Sequence, residues 1–272
     1  MLSLIHCRFF RRAFGYCIPI GGLAGLIGLG GGEFRLPVLM NVVGFDAKSA
    51  VPLNLMVSLI TLAFALVTRS HAAPVVAIVP HLPAIAGLAL GGMVSAFYGA
   101  RLVARVSDDR LTKLIAGLLG GIGLLLLIEA AFPFRTGGLL PAGDGLHLLV
   151  GFATGLGIGL VSSLLGVAGG ELLIPALVFV FGADIKTAGS ASILISLAIV
   201  GVGLWRYRRL GAFPRGRGIQ RITLAMSVGS LIGAALGGFA VAFAPIALLK
   251  VLLGCVLIGA AGKTALHQRD GR

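Results

Sequence analysis

Charged residues, and acidic residues above all, are scarce in this chain. Of its 272 residues, 11% are charged and only 9 are Asp or Glu, whereas 58% are hydrophobic and the mean hydropathy is +1.07. Soluble globular domains carry about a quarter charged residues, so this composition excludes a soluble domain. Lipid is therefore the expected solvent, and the sequence predicts an all-α integral membrane protein.

Cysteines and catalytic groups are also few. Cys7, Cys17 and Cys255 are odd in number and show no CxxC spacing, so the sequence indicates neither a disulfide framework nor a zinc site. No nucleophile–base–acid set and no cluster of metal ligands is visible, and the glycines at 28–32 lack the lysine of a phosphate-binding loop. We therefore expect no enzymatic activity, no cofactor and no bound metal.

The basic excess does not indicate a nucleic-acid partner. The net charge is +13, but the basic residues form short clusters between apolar runs instead of one face interleaved with aromatics. Basic clusters beside apolar runs are typical topology signals. Runs close to the roughly 20 residues that a spanning helix needs are Leu114–Ala131, Leu146–Leu165, Ile219–Val241 and Ile246–Leu266.

The chain contains two copies of one unit. A shift of 138 residues places GLGGGEFRLPVL (Gly28–Leu39) on GVAGGELLIPAL (Gly166–Leu177) without a gap. The same register aligns residues that share their type in both halves: Gly31 and Gly169, Gly32 and Gly170, Glu33 and Glu171, Pro37 and Pro175, Asp46 and Asp184, Lys48 and Lys186, Ser58 and Ser196. Two such halves indicate duplication of an ancestral unit.

Small residues repeat at every fourth position later in each half. The two sets are Gly87, Gly91, Ser95, Gly99 and Ala225, Gly229, Gly233, Gly237. Such spacing makes one flat helical face, which lets a neighbouring backbone approach closely in lipid. We expect these faces to pack against other helices.

The glycine-rich segments are predicted to be re-entrant. Glycines at 28 and 30–32 and Pro37 interrupt the apolar run, and the remaining dozen apolar residues are too few to span. Each half is thus predicted to hold a helical hairpin, with its tip near Gly30–Glu33 or Ala168–Glu171, and three spans. The spans are expected at about 49–68, 75–100 and 113–132, and at 187–206, 219–242 and 246–266.

Charge placement gives the two halves opposite orientations. With cytoplasmic termini, the hairpin arrangement puts the basic loop 101–113 inside, whereas single spans would put it outside, against the positive-inside rule. Two full crossings in place of each hairpin would give the same sidedness. The predicted organisation is a cytoplasmic lead (1–13), a first membrane repeat (14–132), an extracytoplasmic linker (133–145), a second membrane repeat (146–266) and a cytoplasmic tail (267–272).

At these motifs the sequence resembles the TauE/SafE family of sulfite and organosulfonate exporters. The resemblance covers nearly the whole chain. It rests on the pattern G-x-G-G-G-E-x-x-x-P at Gly28–Pro37, its copy at Gly166–Pro175 with Ala168 replacing a glycine, and the motif G-x-D-x-K-x-A at Gly44–Ala50 and Gly182–Ala188. The resemblance implies a multi-pass inner-membrane transporter of sulfur-containing anions, and it fixes the class better than the substrate.

The candidate anion site lies at the two tips. The backbone N–H groups of Gly30, Gly31, Gly32, Ala168, Gly169 and Gly170 form the predicted cradle, because helix N-termini carry free donors and partial positive charge. A tight turn for close packing is the alternative. Arg35 suits a sulfite or sulfonate group through paired hydrogen bonds, and its repeat position is Leu173. Pairing with Glu33 or snorkelling is the alternative for Arg35.

Other polar residues join this candidate site. Asn54 and Ser58 share a helical face, which Ser192 and Ser196 repeat in the second half; such a stripe lines a path or joins helices. Glu33 and Glu171 lie in apolar surroundings, where an ionisable group indicates function. A helix cap is the alternative role for these glutamates, and proton coupling is the functional one.

Inverted repeats with broken helices near the midplane are typical of secondary transporters. The sequence therefore predicts transport of a small anion across the inner membrane by alternating access, with the lipid bilayer and, as coupling ion, protons as further partners. A homo-oligomer is compatible with the sequence. The competing hypothesis is a non-transporting membrane anchor or assembly subunit, for which broken helices have no explanation.

Overall fold

The computed structural model describes residues 14–22, 24, 30–69, 75–131, 138–141, 143–183, 185–214, 216–240, 251, 254–255, 258–259 and 261–262. Every regular element within these ranges is helical. The predicted lead 1–13 and tail 267–272 lie outside the described residues, as does most of the predicted span 246–266.

Nine α-helices lie between residues 14 and 240 of the described ranges. They are α1 (14–22), α2 (Gly32–Asn41), α3 (Ala47–Arg69), α4 (Leu82–Arg105), α5 (Asp108–Ala131), α6 (Asp144–Leu165), α7 (Gly170–Pro175), α8 (Ile185–Arg209) and α9 (Arg217–Ala240). A 3₁₀ turn, Val75–His81, precedes α4, and a π-helical turn, Ala176–Val180, continues α7.

Five described helices are long and apolar enough to cross a membrane. These segments are Ala47–Val67, Ile78–Val103, Asp144–Leu165, Thr187–Arg209 and Gly218–Leu236. The all-helical class predicted from composition holds over the described residues. Five of the six expected spans overlap α3, α4, α5, α8 and α9, with ends that differ by at most seven residues.

Local chemistry fixes several helix boundaries. Asp46 precedes α3, and its carboxylate accepts a hydrogen bond from the Ser49 N–H at 3.2 Å, which is an N-cap. Its repeat position, Asp184, lies outside the described residues. Gly31 and Gly169 precede α2 and α7 with φ of 64° and 78°, a conformation that glycine adopts without the strain of a Cβ atom.

The two arms of the second glycine-rich unit differ in length. Helix α6 has 22 residues and so extends about 33 Å, enough to cross the hydrocarbon core. Beyond the turn at Gly166, the return helix Gly170–Val180 is about half as long. The return within the membrane stays a prediction.

The small-residue faces lie against backbones, as their spacing predicted. A Cβ atom at Gly91 would collide with the Phe152 carbonyl of α6. A Cβ atom at Gly229 of α9 would lie 2.8 Å from the Phe14 carbonyl of α1. Both contacts are closer than van der Waals distance, so a side chain at either glycine would force the two helices apart.

Each of these contacts has an equivalent in which the two residues come from the opposite halves. Adding 138 to Gly91 gives Gly229, and subtracting it from Phe152 gives Phe14. Likewise Gly159 lies against Gly92 of α4, and Gly21 lies against Ser230 of α9. An exchange of partners under the same shift defines a two-fold relation between the halves. Their inversion across the membrane stays a prediction.

Candidate functional site

The two glycine-rich tips meet in the protein interior. A Cβ atom at Gly30 would lie 2.8 Å from the Cβ of Ala168, and one at Gly32 would lie 3.1 Å from the Cα of Val167. Because Gly30 and Ala168 are repeat partners, their contact lies on the two-fold axis. All six residues of the predicted cradle are buried at this junction.

Helices α2 and α7 both begin at this junction. They start at Gly32 and Gly170. The N–H groups of a first helical turn have no acceptor within their own helix, and they carry the positive end of the helix dipole. Two sets of donors are thereby brought to the same axis.

Arg35 is completely buried beside the tips and makes five hydrogen bonds. One terminal nitrogen (Nη2) donates to the Gly30 carbonyl at 2.7 Å and to Ser58 at 2.8 Å. The other (Nη1) donates to Ser230 at 3.2 Å and to Thr61 at 3.5 Å, and Nε donates to the Asn54 amide oxygen at 3.3 Å. All five acceptors are uncharged. Burial excludes the snorkelling alternative, and no salt bridge to Glu33 is among these contacts.

The shorter bonds join Arg35 to the first tip and to α3, which orients the guanidinium. The three longer bonds are at or beyond the usual N–H···O range of 2.7–3.2 Å and are the weaker ones. Asn54 also donates to the Gly32 carbonyl at 2.7 Å, so the same helix face supports the tip itself. The predicted face of Asn54 and Ser58 is thus brought to the first tip.

The corresponding face of α8 has different partners. Ser192 donates to the Gly189 carbonyl of its own helix at 2.9 Å. Ser196 is buried, and its hydroxyl has no hydrogen-bond partner among the described residues. Ser58, the repeat partner of Ser196, bonds Arg35, whereas position 173 is a leucine and offers no donor. The site is therefore asymmetric between the halves.

Glu33 and Glu171 form a pair at the axis. Both side chains are buried, with 0% and 4% exposure, and none of their four carboxyl oxygens accepts a hydrogen bond from the described residues. The two carboxyl groups interact with each other and lie near the Arg35 guanidinium. Two ionised carboxylates have no donor between them, so a hydrogen bond can form within this pair only when one carboxyl group carries a proton. The helix-cap role and the proton-coupling role of these glutamates both stay predictions.

Sequence reasoning missed Ser230 and Cys17. Ser230 comes from α9 and bonds Arg35, and Cys17 of α1 is buried near the same guanidinium. The sequence shows Ser230 only as a serine on a largely apolar helix, and its repeat position is Gly92, so neither its neighbours in sequence nor the comparison of halves indicates its role. Cys17 and Cys255 are free thiols, and no group of three metal-ligating side chains occurs among the described residues.

The bundle of apolar helices and its buried polar junction define a polytopic α-helical membrane protein with a polar site at the contact between two repeats. The chain belongs to the sulfite exporter TauE/SafE family, whose model matches residues 6–126 and 150–272. This match confirms the resemblance noted at the duplicated motif and identifies a transporter family. No curated protein and no solved structure was found to match the chain.

Proposed function

We propose that this protein is a secondary transporter of sulfite, an organosulfonate or a related sulfur oxyanion. The observation that supports the substrate class best is Arg35, a fully buried cation whose five partners are all neutral. A buried cation without a bonded counter-charge is costly. An oxyanion would supply that charge, and a guanidinium binds oxyanions in a paired geometry.

The anion binds at the meeting point of the tips. Moving an anion into lipid is favourable only where fixed donors replace its water. The first-turn N–H groups after Gly31 and Gly169 are such donors, and Arg35 lies beside them, since its Nη1 would be 3.5 Å from a Cβ atom at Gly31. When the anion binds, Arg35 gives up its weaker hydrogen bonds to Thr61, Ser230 and Asn54 and donates to the anion instead.

Protons are the proposed coupling ion, with Glu33 and Glu171 as their site. With both carboxyl groups ionised, the pair and Arg35 carry one net negative charge, which repels an anion. One proton makes the group neutral, and two make it positive. Anion affinity therefore rises when the pair binds protons.

Alternating access follows from a site on a two-fold axis between two repeats. When the two repeats interchange their conformations, the site opens first to one side of the membrane and then to the other. The opposed orientation of the halves, with the termini and the loop 101–113 cytoplasmic, is part of this proposal.

Flux in proteoliposomes distinguishes a carrier from a membrane anchor or assembly subunit. The purified protein is reconstituted and tested for sulfite uptake down a gradient, with thiosulfate, sulfonates, sulfate and carboxylates as competitors. We expect uptake that saturates and that the preferred sulfur oxyanion inhibits. Gly31→Val combined with Gly169→Val abolishes it, since valine at a positive φ is strained and obstructs the tips. Gly117→Val, where a Cβ atom meets nothing within 4 Å, is the matched control. No uptake of any of these anions by a folded protein would favour the anchor.

A further inference from the structure

A cavity of about 490 Å³ lies between α4 and α6, away from the tips. Its wall is almost entirely apolar, and two arginines lie at one end. Its lining includes Val94, Arg101, Leu102 and Arg105 of α4 and Leu156 and Leu160 of α6.

The basic end of the cavity belongs to a larger cationic cluster. Arg101 and Arg105 are exposed. The Arg101 guanidinium lies 5.7 Å from the centre of the Phe97 ring, and that of Arg206 lies 4.3 Å from the same ring. Arg206 also lies close enough to Arg101 and Arg209 for their positive charges to repel its own. Like charges held this close repel one another, so an anion that bridges them is stabilising.

Aromatic side chains place this cluster at the edge of the membrane. Phe97 stacks on Trp205 with ring centres 6.1 Å apart, and Tyr98 packs edge-on against Phe97 at 5.3 Å. Tyr98 and Trp205 are 61% and 48% exposed. Exposed tryptophan and tyrosine beside arginine are typical of the headgroup level of a membrane protein.

The apolar wall extends from that level into the hydrocarbon region. From Arg105 back to Val94, α4 rises about 16 Å, which is close to half of the roughly 30 Å hydrocarbon thickness. Val94, Leu102 and Leu160 are 42%, 44% and 37% exposed along this path. The cavity therefore has the depth of one leaflet, with charge at the headgroup end only.

We propose that this cavity binds an anionic phospholipid. The phosphate lies against Arg101 and Arg105, and one acyl chain lies along Leu102, Leu156 and Leu160. Basic pockets between spanning helices bind anionic lipid headgroups in this way. A free inorganic anion would leave the apolar wall uncovered, and a zwitterionic lipid would bring its own cation to the arginines.

The single tryptophan of the sequence makes a direct test available, because Trp205 lies beside the cluster. The whole protein is reconstituted in phosphatidylcholine bilayers that contain a minor fraction of lipid with brominated acyl chains, which quench tryptophan fluorescence on contact. We expect brominated phosphatidylglycerol to quench Trp205 more strongly than the same fraction of brominated phosphatidylcholine. Arg101→Gln with Arg105→Gln lowers this lipid preference by about fivefold per arginine removed.

Two further variants separate charge from fold. Arg110→Gln with Lys113→Gln removes two exposed charges from α5, outside the cavity, and keeps the preference. Arg101→Lys with Arg105→Lys keeps the charge and restores most of the preference. Equal quenching by both lipids in the unmodified protein would overturn the proposal. So would an unchanged preference in the Arg101→Gln, Arg105→Gln protein, or its loss on addition of inorganic phosphate.

Discussion

At the scale of residues, Arg35 supplies the positive charge and the asymmetry of the candidate site. It joins the first tip to α3 and α9 through Gly30, Ser58 and Ser230. Its repeat position is Leu173, so one half supplies a cation and the other leaves the Ser196 hydroxyl without a partner. A substrate on the axis would thus be bound by Arg35 from one side and by uncharged donors from the other.

Much of this site could be predicted from single residues. Comparing the halves identifies Glu33, Glu171 and Arg35, because a duplicated acid and an unduplicated base are visible in the aligned motif. The role of Ser230 could not be predicted, because it depends on the packing of α9 against α1 and α3. The choice between snorkelling and burial for Arg35 depends in the same way on neighbours distant in sequence.

The carboxyl pair leads to a prediction about protons. If anion affinity depends on protonation of Glu33 and Glu171, the protein takes up protons when it binds the anion. Calorimetric titration in buffers of different ionisation enthalpy measures this uptake directly. Glu33→Gln with Glu171→Gln removes the uptake while the anion still binds, because neutral amides replace the protonated pair.

Asp144→Asn, an exposed change at the start of α6, is the matched control and leaves proton uptake unchanged. Anion binding that releases or takes up the same number of protons in the double glutamine variant would rule out the pair as the proton site. Loss of anion binding by this variant, with its fold intact, would instead mean that a protonated carboxyl group contributes directly to anion binding as a donor.

At the scale of elements, a glycine on a helix face allows a neighbouring helix to pack closely and does not interrupt its own helix. The glycines of α4 and α6 lie against each other's backbone, and α6 continues as a helix through Gly155 and Gly159. Two glycines with positive φ lie at helix boundaries in this segment: Gly166 follows the last residue of α6, and Gly169 precedes the first residue of α7. In the sequence, glycines spaced by four indicate a packing face, whereas a cluster of glycines followed by a proline indicates a helix boundary.

Replacing Gly91 with leucine tests this packing. A side chain there collides with the Phe152 carbonyl, so α4 and α6 must separate. We expect a loss of roughly 1–3 kcal/mol from overpacking, seen as a lower melting temperature and a lower folded yield in detergent. Gly157→Leu on α6 is the control, because a Cβ atom there has nothing within 4 Å. Equal melting temperatures for the two variants would contradict the assignment of the interface.

At the scale of the whole molecule, the two-fold relation determines where the site lies. The contact of Gly91 with Phe152 and the contact of Gly229 with Phe14 are equivalent under this relation. Residues that are repeat partners therefore come together on one axis. The duplication was readable from the shift of 138, but the pairing of α4 with α6 and of α9 with α1 was not. Sequence spacing shows that a face packs, and only the fold shows against which helix.

Labelling from outside the cell tests the orientation of the halves. In a protein whose native cysteines are replaced by serine, a single cysteine at position 108 stands at the first residue of α5, just after the turn that follows α4. The positive-inside rule predicts that this position lies in the cytoplasm. An impermeant maleimide should therefore label it only after the membrane is permeabilised, whereas a cysteine at position 143 should react in intact cells. Reaction at 108 in intact cells would refute the inverted arrangement.

The most direct test of the central claim is counterflow of labelled sulfite in proteoliposomes containing the Arg35→Gln protein. If Arg35 binds the transported anion, its loss removes a charge-assisted hydrogen bond of roughly 1.5–3 kcal/mol, which lowers apparent affinity about 10- to 150-fold. Arg110→Gln, an exposed arginine on α5, keeps the affinity of the unmodified protein. Melting temperature, measured alongside, confirms that the Arg35→Gln protein is folded. An unchanged affinity for sulfite in that folded protein would contradict an anion site at the junction of the two tips.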